Sequence, residues 1–439
     1  MTVIVSVLML MSVVMAVIVP WLVAVTGLVA VTGLVAVVMA GLVLVAVLAA
    51  HHPSMTRKTR CSISTPASRT RLRTARSCAL WLGPAADNRI MDSTERLEVP
   101  KTAERMTVAA SAFLRALTAE QRERACYAFG DERRSWSFLP ARDRDGLPVG
   151  ALDEGQRRLG HELIVAGTSL PAYTKVVSIM AMEHVLRARS PESLTDLFNP
   201  ERYCFKLFGT PGERVWGWQF AGHHVSLNFT VVDGRHVSPT PCMLGSQPAS
   251  FGLLAPLADD EELGFRLVNS LDATQRRAAI IHHRPPPDLA ARMVPRLGET
   301  ERPDPVFGPE PDYVIGDDER DILSYVRSSP KGIPGSALSR LQFDQLTELV
   351  GGFVRRLPDE VAGAQLHDLE RMGMDNLTFA WAGGTSPGER HYYRVQGPTL
   401  LIEHDNTQGN GTHIHSAWRN PADDFGDDVL AEHYRTHHA

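Results

Sequence analysis

Gly209-Thr210-Pro211-Gly212-Glu213-Arg214 is echoed later in the same chain by Gly384-Thr385-Ser386-Pro387-Gly388-Glu389-Arg390. The first copy runs into Trp216, Trp218 and Phe220, the second into Tyr392, Tyr393 and Val395. Each then reaches a glycine, Gly222 or Gly397, that opens a strand-like segment. A phrase written twice at this separation means that one structural unit has been used twice. The alternative is shared turn chemistry, because glycine and proline recur in turns for generic reasons.

Working outward, more of the chain matches itself. Leu117-Thr118-Ala119-Glu120-Gln121-Arg122 corresponds to Leu271-Asp272-Ala273-Thr274-Gln275-Arg276. Both are helix starts, since Thr or Asp at the cap and Gln three residues on satisfy each other's free backbone N–H groups. Gly146-Leu147-Pro148 corresponds to Gly332-Ile333-Pro334, each leading into an amphipathic helix. The expected fold is therefore α+β: two tandem pseudo-repeats, residues 106–260 and 261–439, each of helices followed by an antiparallel β-hairpin. The second carries a Pro-rich insertion at 285–311, a loop by composition.

The chain has 439 residues and is 44% hydrophobic, enough for a sizeable core. Residues 1–50 hold no charge, and residues 51–105 form a basic, low-complexity linker in which the first acid is Asp87. The formal net charge is −5, so the part after these basic groups is more acidic still, which argues against a nucleic-acid partner. The apolar stretch exceeds the ~20 residues of one membrane span, and Pro20 divides it into two candidates, Val3 to Val19 and Leu22 to Leu48. The basic flank then predicts a membrane protein with a cytoplasmic body. A cleaved signal peptide fits poorly, as no basic segment precedes the apolar one. The competing reading is upstream sequence translated from a misplaced start, with Met91 or Met106 the true beginning and the protein cytoplasmic.

Five cysteines form no C-x-x-C pair, which suits a reducing compartment. Walker, dinucleotide and nucleophile-elbow signatures are missing as well. Chemistry is concentrated instead in the hairpins. Thr399 to Asn406 is a strand, Thr407 to Gly411 a turn, and Thr412 to Trp418 the returning strand. Strand side chains alternate, so Leu400, Ile402, Ile414 and Trp418 share the core face while Glu403, Asp405, His413 and His415 share the other. A turn centred on Gly409 sets Asp405 opposite His413 and Glu403 opposite His415. Neutral imidazole with carboxylate oxygen is the ligand set of zinc, iron and manganese. Two other readings fit the same pattern: a solvated face of cross-strand ion pairs, or a metal-free acid–base site.

In the first hairpin Gly222 to Val232 is a strand and Asp233-Gly234 a two-residue turn. Aligning Gly222 with Gly397 places Asn228 on Glu403 and Thr230 on Asp405, so two polar faces coincide. Two such hairpins packed together would enclose a cleft, with His224 and Asn228 supplied by the first. Glu183, on the apolar side of a helix from Tyr173 to Arg187, is a weaker candidate that caps or pairs. Arg394, Arg419 and Lys206 are candidates to hold an anionic substrate, and equally readable as solvated charges.

From Trp216-Gly217-Trp218-Gln219-Phe220 through Asn228, and again at Gln396 to Gln408 and His413-Ile414-His415-Ser416-Ala417-Trp418-Arg419, the chain resembles the domain of unknown function 3500 family, over about residues 107–434. The resemblance implies no activity, and it leads one to expect an aromatic residue at His404. The leading functional expectation is a metal-dependent enzyme acting on a small molecule, by hydrolysis or oxidation. Glu403, His413 and His415 would hold a divalent transition metal, Asp405 would be the fourth ligand or general base, and His224 and Asn228 would be substrate-side groups. The alternative is a non-catalytic, membrane-tethered binding or scaffold protein.

Overall fold

The computed structural model describes residues 96–437. The two predicted membrane spans lie outside them, and among the described residues no helix is long and apolar enough to cross a membrane. Helices α1 (Pro100–Ala116), α2 (Ala119–Ala125), α3 (Glu154–Gly167) and α4 (Leu170–Arg189) precede the first long strands. Then come α5 (Ala258–Ser270), α6 (Ala273–Ala279), α7 (Asp317–Leu323), α8 (Arg340–Val354) and α9 (Asp359–Met372), with α10 (Asp427–His437) last. Both helix starts read from the sequence carry reciprocal capping boxes, Thr118 with Gln121 and Asp272 with Gln275. Each capping glutamine also bonds a second capping glutamine: Gln121 pairs Gln156 and Gln275 pairs Gln342, both at 2.9 Å.

The strands are β1 (Cys126–Tyr127), β2 (Leu147–Pro148), β3 (Cys204–Phe208), β4 (Val215–Gly222), β5 (Val225–Val232), β6 (His236–Ser238), β7 (Cys242–Ser246) and β8 (Ile280–His282). They continue with β9 (Thr300–Glu301), β10 (Val306–Phe307), β11 (Glu310–Val314), β12 (Tyr325–Val326), β13 (Ile333–Pro334), β14 (Thr378–Gly383), β15 (His391–Gln396), β16 (Leu401–Thr407) and β17 (His413–Arg419). One large mixed sheet runs β1-β3-β4-β5-β7-β17-β16-β15-β14-β13, with β2 on β3, β6 on β5 and β8 on β14. The pairs β1–β3 and β14–β8 are parallel and the rest antiparallel. The predicted Gly-Leu/Ile-Pro turns serve this sheet. Gly146 and Gly332 take φ of +116° and +124°, and a Cβ there would come within 2.9 and 2.2 Å of the Phe205 and Phe379 carbonyl oxygens.

Trp218, Phe229, Tyr393, Ile402 and Trp418 point into the main core, together with residues from α1, α3, α5 and α8. The opposite face is also buried, beneath segments with little regular structure that include the Pro-rich insertion. A solvated polar face is thus not what the sheet presents. A covering loop brings backbone groups that need partners, and the polar strand residues supply them. Glu403 accepts from the Ala290 and Ala291 N–H groups at 2.7 and 3.1 Å. Arg394 donates to the Leu323 and Ser324 carbonyls, both at 3.2 Å. Gln396 donates to Val326 and Gln408 to Pro287.

Candidate metal centre

The hairpin β16–β17 forms with a register different from the expected one. Asp405 lies opposite His415 and Glu403 opposite Ala417. The cause is the turn: Gln408–Gly411 makes a single helical turn with Gly409 and Asn410 left-handed, which moves its centre to Asn410. The slip is two residues, so parity survives and Glu403, Asp405, His413 and His415 still leave one face. A second correction concerns the hairpins. They do not pack face to face around a cleft, because β7 lies between β5 and β17 in the same sheet.

His224 nevertheless reaches the other imidazoles. It is not a strand residue: His223 and His224 form the two-residue turn between β4 and β5, where Gly222 pairs with Val225. His224 has φ of +65°. Its N–H donates to the Phe138 carbonyl at 2.9 Å, and its carbonyl accepts from the Gly245 N–H at 2.7 Å. The ring then crosses the bare backbone of Gly245, which is paired directly with His415. A Cβ on Gly245 would lie 2.8 Å from the His224 ring.

The result is a buried cluster of His224, His413 and His415, with one nitrogen from each inside a 4.8 Å set. The Nε2 atoms of His224 and His413 are 2.8 Å apart. A tetrahedral ion with ligand bonds of about 2.0–2.1 Å holds its nitrogens about 3.3 Å apart, so these separations are of the right size. Burial, then the neighbouring imidazoles, hold His224 and His413 well below the usual histidine range. Both are therefore neutral, as a ligand must be. His415 shares its Nδ1 with the Asp288 carboxylate at 2.7 Å, which leaves Nε2 as its lone-pair nitrogen. His223 stacks on His224, 3.7 Å between ring centroids, and its Nδ1 meets the buried Glu183 at 2.7 Å.

The other expected site residues are placed differently. Glu403 is outside the cluster; its carboxylate takes the Tyr392 hydroxyl at 2.7 Å besides the two N–H groups of the insertion. Asn228 donates to the Pro241 carbonyl and the Ser226 hydroxyl and braces the loop before β7. Asp405 is wholly buried and accepts from Thr407 Oγ1 at 2.8 Å. Burial, then the nearby Asp288, push its carboxyl well above the usual range. Asp288 went unseen in the sequence because it follows three prolines in a segment without periodicity. Phe307 of β10 rests against His413, and the β10–β11 hairpin with Tyr313 and Arg390 lines a surface cleft.

On the helix side of the sheet lies another group, Glu261, His391 and His404, also inside a 4.8 Å set. His404 stacks flat on Tyr393, 4.8 Å between centroids, in the place of an aromatic ring.

Among known proteins, the family described as Protein of unknown function (DUF3500) matches residues 100–427. Comparison with curated proteins and with solved structures finds no match.

Proposed function

The chain belongs to the DUF3500 family, whose description carries no activity, and from the geometry we propose a metal-dependent enzyme acting on a small molecule. His224, His413 and His415 hold one divalent transition ion of the zinc, iron or manganese class. The carrying observation is the convergence of three buried imidazoles, two of them held neutral, from two strand ends 189 residues apart in sequence. Three histidines leave a coordination position open, as catalytic sites do. When bound, such an ion lowers the pKa of a water molecule to about 7 and supplies a nucleophile, which favours hydrolysis. Asp288 fixes the tautomer and orientation of His415. Asp405, a carboxyl displaced upward by burial and by the nearby Asp288, stands beside His415 in the ladder and is the group suited to take up and release a proton. Phe307 of the β10–β11 hairpin covers the edge of His413.

Tandem duplication is part of the same reading. Its support is a sheet order that reads alike from both ends, with the β7–β17 pair at its middle. The matched capping glutamines and the two Gly-Leu/Ile-Pro turns add to it. On this view the histidines come from both copies.

The test is metal analysis of the full purified chain, wild type and His224→Ala, His413→Ala and His415→Ala, after loading with zinc, iron(II) or manganese(II). A stoichiometric ion lost in each variant, with ester or amide hydrolysis that follows metal content, is the expected result. If all four proteins retain equal metal, or none takes any, the proposal fails and a non-catalytic role is favoured.

A further inference from the structure

We propose a second divalent-metal site, on the helix side of the sheet, built from Glu261, His391 and His404. It is independent of the three-histidine cluster, being on the opposite face. His391 and His404 are both 0% exposed. Neither ring nitrogen of His404 has a hydrogen-bond partner, and Nε2 of His391 has none. Leaving a buried polar atom unpaired is costly, and native interiors rarely do so. Here one nitrogen of each histidine and a carboxylate oxygen of Glu261 lie within 4.8 Å of one another. Nδ1 of His391 faces the Glu389 carbonyl at 2.8 Å, and so carries the proton. That leaves the Nε2 lone pair, 3.5 Å from Glu261 Oε1.

The surroundings fit a cation. Asn406 donates to Glu261 Oε1 at 2.7 Å and orients the carboxylate. The other charges near His404 are already balanced, since Asp260 binds Arg356 at 2.7 Å and Lys175 at 3.0 Å. Glu261 keeps 24% of its side chain exposed, a route from solvent. Counting from Gly222 and Gly397, the positions of His391 and His404 match Trp216 and Phe229, both buried in the apolar core. The fold therefore accepts apolar rings at these two places, and hydrophobic packing does not call for imidazoles. Two imidazoles and one carboxylate select a first-row divalent ion such as zinc, cobalt(II) or iron(II).

The experiment uses the full chain, stripped with chelator and titrated with cobalt(II) or zinc, with bound metal counted and the cobalt absorption recorded. Wild type should take two equivalents. His404→Phe, which places an aromatic ring there, and Glu261→Gln, at a partly exposed position, should each lose one equivalent and its share of the cobalt spectrum. His413→Ala should lose the other. Should His404→Phe fail to fold, Glu261→Gln decides alone. The proposal is overturned if Glu261→Gln and any folded His404→Phe bind as much metal as wild type. Metal lost in those two but not in His413→Ala would sink the three-histidine reading and leave this one standing.

Discussion

Replacing Glu403 separates two roles that the strand pattern alone leaves merged. As a metal ligand, its loss would empty the site; as an anchor, its loss would release the insertion that covers the sheet. The structure gives it three donors: Ala290 N–H at 2.7 Å, Ala291 N–H at 3.1 Å and the Tyr392 hydroxyl at 2.7 Å. Stranding buried donors costs about 1–3 kcal/mol each. Against that stands the relief of a carboxylate that burial itself disfavours, for its pKa is displaced upward. Arg394, paired with it across the ladder, would be left without its counter-charge. Breaking such a buried arrangement costs about 3–5 kcal/mol, and that is the expected effect of Glu403→Ala. Glu403→Gln retains one accepting oxygen and should lose about 2 kcal/mol. Urea unfolding of the chelator-stripped chain, followed by the fluorescence of the buried tryptophans, measures both losses. Metal content should stay at the wild-type value in Glu403→Gln. A Glu403→Ala protein that loses metal while its metal-free stability stays within about 0.5 kcal/mol of wild type would refute the anchoring role.

Three other perturbations probe the surroundings. Asp288→Asn should weaken zinc binding about tenfold through misorientation of His415, measured by chelator competition; an unchanged affinity would count against the Asp288–His415 pairing. Gly245→Ala places a Cβ 2.8 Å from the His224 ring and the Ile414 carbonyl, and should cost about 1–3 kcal/mol and reduce metal affinity without removing a ligand; full metal binding would mean that His224 is dispensable. Asp423 is buried and its carboxyl is raised from 3.8 to about 6, burial outweighing the Arg96 guanidinium. The folded state then binds this proton more tightly than the unfolded one, so the stabilisation is complete below pH 3.8 and is lost as pH rises through about 6, some ~3 kcal/mol in all. Asp423→Asn should flatten that part of the stability profile in urea unfolding between pH 4 and 7, and an unaltered slope would contradict the assignment.

Much of this was legible because local chemistry agreed with the fold. Thr118 and Asp272 cap the helices they announce, and Asp233-Gly234, both left-handed, turn the chain between β5 and β6, although Val232 pairs with His236 and the connection is three residues, through Arg235, instead of the expected two. Strand parity at Glu403, Asp405, His413 and His415 needed only the alternation of the pleat. Other features depend on contacts distant in sequence. The five residues of β7 carry no periodic signal, so its insertion between β5 and β17 was invisible, and with it the means by which His224 reaches His415. His224 itself reads as strand because Gly222 to Val232 is continuously strand-like, yet the chain turns at His223-His224. The polar face was visible as polar. That it meets a covering loop rather than a substrate depends on where residues 285–326 fold back, which no local pattern encodes.

The middle of the sheet joins segments far apart along the polypeptide, with Ser246 opposite Ile414 in the ladder. Closing so long a loop is an entropic step that nothing before β17 can reward. During synthesis the amino-terminal strands must therefore wait with one edge unsatisfied until the last tenth of the chain emerges. Ion capture at His224 would then mark a finished molecule and lock the latest contact to form, and a shortage of metal would be felt first as misfolding along that exposed edge.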